Sequence, residues 1–315
     1  MTDVLVVGAG SIGARHARNL SALGAAVTIT DADGERARSV ALDIDARSVP
    51  FTPSELGDHP AVVIASPTSE HASQAAIALA SGAYVLIEKP AATTVDGLDV
   101  IEQASDRVMV GYNLRLHEPV ERLLHLVRDG RIGNLLAVRL WFGSWLPDWR
   151  PGVDYRTTYS ARSDLGGGVL LDAIHELDLL LWIAGDARFK VIGSVVARVG
   201  PLEIDVEDTV RTLLRHDDGW VASVELDYLS RRYRRGIEIV GSHATARLDW
   251  ARAVVELDGP TDSESWPATT PVDASYVREA ERFLAFVETG TPPPVDGVEG
   301  CRSLRLADAI RTAAR

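Results

Sequence analysis

Val4-Leu5-Val6-Val7-Gly8-Ala9-Gly10-Ser11-Ile12-Gly13 opens the chain, and its reading decides the fold. Four consecutive apolar residues suit a strand buried on both faces, as in a parallel sheet. Residues 12–23 follow at once with the apolar spacing of a helix. Gly8 permits the tight turn between the two, Gly10 leaves room for a group to approach the backbone, and Gly13 lets the helix pack on the strand. The helix N-terminus then presents N–H groups and the positive end of its dipole to an anion. Strand, glycine turn and helix in this order form the context in which G-x-G-x-x-G seats a dinucleotide pyrophosphate. Gly8, Gly10, Ser11, Ile12 and Gly13 are therefore the first candidate cofactor residues.

Working outward, apolar runs at 4–7, 27–30, 61–65, 84–87 and 108–110 read as buried parallel strands. Helical patterns at 12–23, 35–42, 71–81 and 94–104 alternate with them, which predicts a doubly wound Rossmann sheet. After a connecting helix at 119–130 the pattern changes. Residues 135–144, 190–199, 209–215, 221–229 and 236–240 are long alternating β runs, with Asp217-Asp218-Gly219 as a turn between two of them. They predict an open, mainly antiparallel sheet, solvated on one face and covered by helices on the other. One long helix at 169–184 interrupts this region, and helices at 276–289 and 300–314 close the chain. The fold class is α/β: an N-terminal Rossmann domain over 1–116 and a C-terminal α+β domain over 117–315.

The formal net charge is -13, which argues against nucleic acid or an anionic membrane as partner. No apolar stretch is long enough to span a bilayer, and Met1-Thr2-Asp3 leads directly into the first strand with no signal-type leader. Cys301 is the only cysteine, so neither an intrachain disulfide nor a cysteine zinc cluster can form. A cytoplasmic protein with a small-molecule substrate is the expectation.

Asp31 ends the second strand. A carboxylate there accepts hydrogen bonds from the adenosine ribose hydroxyls and repels a 2′-phosphate, favouring NAD over NADP. Arg36 and Arg38 lie close enough in sequence to keep NADP open, and Asp31 or Asp33 could instead cap the next helix. Ser66, Thr68 and His71 follow the next long strand and border the nicotinamide half of such a site. Glu88-Lys89-Pro90 then closes the run 84–87, where open α/β sheets bind ligands. A lysine partly removed from water there can share in proton transfer or polarise a carbonyl. A nicotinamide seat beside such a lysine points to a dehydrogenase or reductase, and Lys89-Pro90 suits a cis peptide bond.

A second constellation is Gly166-Gly167-Gly168 followed by Asp172, His175 and Asp178. The glycines would let backbone lie against a ligand. Asp172 and His175, three apart on a helix, would share a face, and a carboxylate beside an imidazole suits a general base. His175-Glu176 begins like a zinc-binding HExxH helix, but Leu179 stands where the second histidine belongs, so no metal is expected. Trp149 and Tyr155, among the aromatics and arginines of 145–162, are candidates for packing on a sugar face. The arginines could equally clamp a carboxylate or phosphate.

Taken together these motifs resemble the glucose–fructose oxidoreductase, inositol dehydrogenase and MocA-type family over nearly the whole chain. The resemblance rests on the glycine fingerprint, Ser66-Pro67-Thr68 with His71, Glu88-Lys89-Pro90, Gly111-Tyr112-Asn113-x-Arg115, and Gly166 through Asp178. It implies hydride transfer between nicotinamide and a ring carbon of a sugar, cyclitol, amino sugar or nucleotide sugar. It also implies a catalytic set of Lys89, Asp172 and His175, with Glu88 at the cofactor and Asn113 and Arg115 at the substrate. A homodimer or homotetramer formed through the C-terminal sheet is implied as well. The family pattern places the histidine four residues after the aspartate, whereas here the gap is three. That shorter spacing resembles a branch associated with bacterial surface-sugar and glycan modification. An imine or amino-acid dehydrogenase and a catalytically silent NAD-binding regulator are the alternatives on this scaffold.

Overall fold

The computed structural model describes residues 1–186 and 188–314. The chain forms two compact units: residues 1–113 with 272–304, and residues 114–271 with the stretch beginning at Arg305.

In the first unit β1 (Asp3–Val7), α1 (Ser11–Ala22), β2 (Ala26–Asp31), α2 (Gly34–Asp43), β3 (Arg47–Pro50), β4 (Ala61–Ile64), α3 (Thr68–Ala80), β5 (Tyr84–Glu88), α4 (Asp99–Gln103) and β6 (Val108–Gly111) follow in order. The strands form one sheet ordered β3-β2-β1-β4-β5-β6, every pair parallel. The direction of strand order reverses between β1 and β4, which puts a ligand crevice at their carboxyl ends. Val4, Val6, Ile29, Val63 and Leu86 are wholly buried, each contributing about 1.5–3 kcal/mol of transfer free energy. The edge strand β3 was not among the expected strands, and the helical pattern at 94–104 resolves into a 3₁₀ turn, Val95–Gly97, and the short α4.

The second unit contains α5 (Glu118–Arg128), β7 (Leu135–Gly143), α6 (Val169–Asp172), α7 (His175–Ala184), β8 (Phe189–Ala197), β9 (Thr209–His216), β10 (Val221–Asp227), β11 (Arg234–Gly241), β12 (Thr245–Asp249), β13 (Val254–Asp258) and β14 (Ser263–Pro267). Its sheet runs β14-β13-β12-β11-β7-β10-β9-β8. Only β7 and β10 pair in parallel; the other pairs are antiparallel. Along β9, Val210, Thr212, Leu214 and His216 point inward, and Arg211, Leu213 and Arg215 outward, giving the one-sided alternation expected. The single helix read over 169–184 is instead two, broken at Ala173 and Ile174.

The closing helices α8 (Asp273–Thr289) and α9 (Gly297–Ala313) change the expected domain division. Ala280, Phe283, Leu284 and Phe286 of α8 lie in one apolar cluster with Ala17, Leu20, Ile29 and Leu86, and Phe286 meets Tyr84 edge-on at 4.9 Å. Val110 N–H donates to Val295 O at 3.0 Å, and Tyr112 hydrogen-bonds Ser303. Residues 272–304 thus return to the nucleotide-binding unit rather than forming part of a contiguous 117–315. Helical periodicity shows that a face must be buried, but not which sheet buries it.

Candidate functional site

The glycine turn has the geometry its spacing requires. Gly8 sits at φ +94°, and a side chain there would strike Ala65 O at 2.5 Å. At Gly13 an added Cβ would come within 1.7 Å of Gly8 O, whereas at Gly10 it would meet nothing within 4 Å. Two glycines therefore let α1 and the loop after β4 close on the turn, and the third leaves open space beside the first turn of α1. Among the described residues no side chain caps α1 or α3, so both helices turn bare N–H groups toward the carboxyl edge of the sheet. Gly10 and Ser11 are exposed. This cradle fits a dinucleotide diphosphate.

Asp31 accepts hydrogen bonds from Ala9 N–H at 2.6 Å and Asp33 N–H at 2.7 Å. The Arg36 guanidinium forks onto its two oxygens at 3.1 and 2.7 Å. Asp33, not Asp31, caps α2, accepting from Glu35 and Arg36 N–H, which leaves Asp31 for the crevice. Burial works to raise the Asp31 pKa, but Arg36 and the two amides outweigh it and hold the carboxyl below its ordinary value. The site presents a fixed negative charge covered by a half-exposed arginine.

At the next loop Ser66 Oγ donates to Gln74 at 2.7 Å. His71 is buried with Nδ1 2.8 Å from Pro90 O and Nε2 2.9 Å from Ser66 O, tying the loop after β4 to the loop after β5. Burial lowers the His71 pKa, while the two carbonyl acceptors and Glu88 pull the other way. Thr68 is buried at the start of α3. Glu88 accepts from His16 Nε2–H at 2.7 Å and from the Lys89 amide at 3.2 Å. Lys89 follows, half-buried, and its peptide bond to Pro90 is cis.

In the second unit the glycine run serves the chain's own packing. A Cβ at Gly167 would lie 2.2 Å from Tyr159 O, and one at Gly168 would lie 2.5 Å from the Glu207 carboxylate. The 159–162 backbone thus lies against Gly167, and the Glu207 carboxylate against Gly168. Asp172 and His175 flank the break between α6 and α7, both buried. Tyr228 donates its hydroxyl to Asp172 Oδ2 at 2.5 Å, and Tyr159 also hydrogen-bonds that carboxylate. Burial, then the Asp172 charge, pushes both phenols well above their ordinary pKa, so they remain donors at neutral pH.

Residues 2–112 match the family model of an oxidoreductase family with an NAD-binding Rossmann fold, and residues 120–247 match the GFO/IDH/MocA C-terminal domain. The chain belongs to the Gfo/Idh/MocA oxidoreductase family. Among curated proteins it is 33% identical to an inositol 2-dehydrogenase of Acidothermus cellulolyticus, over 98% of this chain and 92% of that one. It is 28% identical to a UDP-N-acetylglucosamine 3-dehydrogenase of Acidithiobacillus ferrooxidans, over 98% and 96%. Among solved structures, the WlbA dehydrogenase from Bordetella pertussis, in complex with NADH and UDP-GlcNAcA, superposes with a TM-score of 0.84. It is 22% identical, covering 100% of this chain and 95% of that one.

Within this Gfo/Idh/MocA chain, several residues expected at the substrate also make contacts within the fold. Arg115 forms a buried two-pronged pair with Asp178, at 2.9 and 2.7 Å, and stacks on Trp182. Asn113 is buried and donates to Ser275 at 2.7 Å. Tyr155 Oη accepts from Glu203 N–H, and Trp149 lies edge-on to Phe142 and Tyr228. The loop arginines are committed too: Arg156 pairs with Asp154 and Glu203, and Arg162 with Asp164. In the basic run 231–235, Arg235 pairs with Glu176, Arg234 with Asp227, and Arg231 stacks on Trp145. Sequence reading did not single out Tyr228, His16 or Glu279. Only His16, in the same helix as the fingerprint, carried a local signal.

Proposed function

We propose that this oxidoreductase works in the cytoplasm on a sugar, cyclitol, amino sugar or nucleotide sugar, with Lys89 and His175 as its proton-handling groups. The single observation that carries the reading is Lys89 at the carboxyl end of β5, in the same sheet and at the same edge as the glycine cradle after β1. Bound NAD supplies the hydride acceptor; Gly8, Gly10, Ser11, Ile12 and Gly13 would hold its diphosphate, and Asp31 its adenosine ribose. Ser66, Thr68, His71 and Glu88 would border the nicotinamide half. Lys89 polarises the oxygen at the reacting carbon, and His175 relays the proton. Asp172, already clamped by two phenols, fixes the backbone ahead of His175 rather than taking the proton itself. Trp149 and Tyr155 remain the aromatic candidates for a sugar face. The similarity to inositol and UDP-amino-sugar dehydrogenases supports the substrate class. The pairing of Arg156 and Arg162 with acids disfavours a carboxylate clamp, and so an amino-acid substrate.

The test is a panel of sugars, cyclitols and nucleotide sugars, assayed by nicotinamide absorbance with NAD and with NADP. Turnover of at least one member is expected, with kcat/KM for NAD higher by roughly tenfold or more, since Asp31 and a 2′-phosphate carry like charges. No turnover in either direction with any member would overturn the substrate assignment, and a preference for NADP the role of Asp31.

A homo-oligomer formed through the open face of the second sheet is part of the proposal. That face exposes Val195, Leu213 and Val221. It also carries both signs of charge, in Arg211, Glu225 and Arg234, a mixture that suits self-pairing across a two-fold axis. Light scattering should give a dimer or tetramer for the native chain and a smaller species for Leu213→Asp. A native monomer would overturn it.

A further inference from the structure

Three titratable side chains of the first unit converge behind the Lys89 loop: His16 on α1, Glu88 at the end of β5 and Glu279 on α8. One ligand atom from each lies within 4.8 Å of the others. His16 and Glu279 are wholly buried and Glu88 nearly so. The His16–Glu88 hydrogen bond is 2.7 Å long, while among the described residues neither oxygen of Glu279 has a hydrogen-bond partner. An ionised carboxylate in that position would be among the most costly groups a protein interior can hold, so a cation or a proton must answer it.

Geometry decides between them. Ligand atoms on a tetrahedral metal at about 2.1 Å stand roughly 3.4 Å apart. At 2.7 Å the imidazole and Glu88 are separated by a shared hydrogen, not by a metal. Charges facing Glu88 come from His16 on α1, His71 on α3 and Lys89 beside it. Arg15 on α1 is turned toward Asp273 and the Tyr276 ring. Among the described residues, the charge that acts on Glu279 is that of Glu88, of like sign.

We propose that Glu279 carries a proton at neutral pH, that His16, Glu88 and Glu279 form a buried proton-holding site between α8 and the end of β5, and that Glu279 is thereby a positioning residue for Lys89. The positioning half rests on the role given to Lys89 above; the proton-holding half does not.

Burial first, then the Glu88 charge, pushes the Glu279 carboxyl well above its ordinary value. The folded chain therefore keeps this proton at pH values where the unfolded chain has released it. Below the ordinary carboxyl value both states are protonated and Glu279 has no effect. As pH rises from there toward the folded value, stability is lost. Glutamine copies the protonated acid and cannot ionise, so Glu279→Gln should match the native chain in Tm near pH 4. By pH 9 it should exceed it by roughly 2–4 °C. An infrared carbonyl band of a protonated carboxylic acid should be present in the native chain at pH 7 and missing from Glu279→Gln. The alkaline limb of kcat/KM should move upward in the same variant.

A lower Tm for Glu279→Gln at every pH, absence of the acid band, or one equivalent of metal found by elemental analysis and lost with Glu279→Gln would each overturn the proton-holding site. An unmoved alkaline limb, with the band and the Tm behaviour as expected, would overturn the positioning role. Full turnover by Lys89→Ala would instead defeat the catalytic reading and leave the infrared and thermal results to stand.

Discussion

Lys89→Ala is expected to lower kcat by roughly a thousandfold, within the range that a positioned proton-handling group supplies, and to leave the dissociation constant for NAD within a few-fold of the native value. The separation follows from where the lysine stands. The cofactor seat is built from the turn after β1, Asp31 and the loop after β4, and Lys89 belongs to none of these segments. Its own backbone is held from behind, by its N–H donating a hydrogen bond to the Glu88 carboxylate and by the His71 clamp on Pro90 O. Truncation at Cβ therefore removes the ammonium and leaves the loop anchored. Lys89→Arg should rescue little, because a guanidinium stays protonated at working pH and is wider than the ammonium it replaces. Steady-state kinetics with a substrate from the panel, beside cofactor titration followed by protein fluorescence, checks both halves. A kcat within tenfold of native would remove Lys89 from the mechanism.

Gly13→Ala carries the second large effect, on binding rather than chemistry. The added methyl would lie 1.7 Å from Gly8 O and 2.8 Å from Gly8 C, and both are backbone atoms that no rotamer change can move aside. Either α1 lifts from β1 or the turn opens, and each spoils the aim of the α1 N-terminus at the diphosphate. Overpacking of this kind costs about 1–3 kcal/mol, occasionally more. We expect a fall in Tm together with at least a hundredfold loss of NAD affinity. Gly10→Ala is the control: its Cβ meets open space in the unliganded chain, so Tm should hold while affinity falls. Calorimetric titration and thermal denaturation of the two variants distinguish them. Native affinity in Gly13→Ala would refute the close-packing argument.

Features carried by neighbours in sequence were the legible ones. The glycine turn, Lys89 at a strand end and five of the second sheet's eight strands, β7 to β11, each declare themselves within a few residues, because strand and helix periods are local properties. The strand β3 did not: Arg47-Ser48-Val49-Pro50 is short, partly exposed and ends in proline, as an edge strand should be. Nor did the break between α6 and α7, which contains neither glycine nor proline. Val169 N–H bonds to Glu207 O and Asp172 is held by Tyr228 and Tyr159, so distant groups compete with helix continuation there. Tyr228 and Asp172 stand 56 positions apart, and Arg115 and Asp178 stand 63 apart. For Arg115 the motif was read as facing substrate, yet a buried carboxylate partner claims the guanidinium, and only tertiary packing reveals that.

The return of α8 to the first unit bears on how the chain is made. A polypeptide leaves the ribosome from its N-terminus, and domains usually fold as they emerge. Here β1 to β6 are complete by Gly111, yet the apolar side of that sheet lacks Ala280, Phe283, Leu284 and Phe286 until most of the protein has been synthesised. The nucleotide-binding half must wait, partly assembled, while the residues of the intervening unit are translated. A nascent chain cut short before α8 would keep the glycine fingerprint but not the core beneath it. The apolar core under the nucleotide-binding sheet is thus closed by some of the last residues to be made.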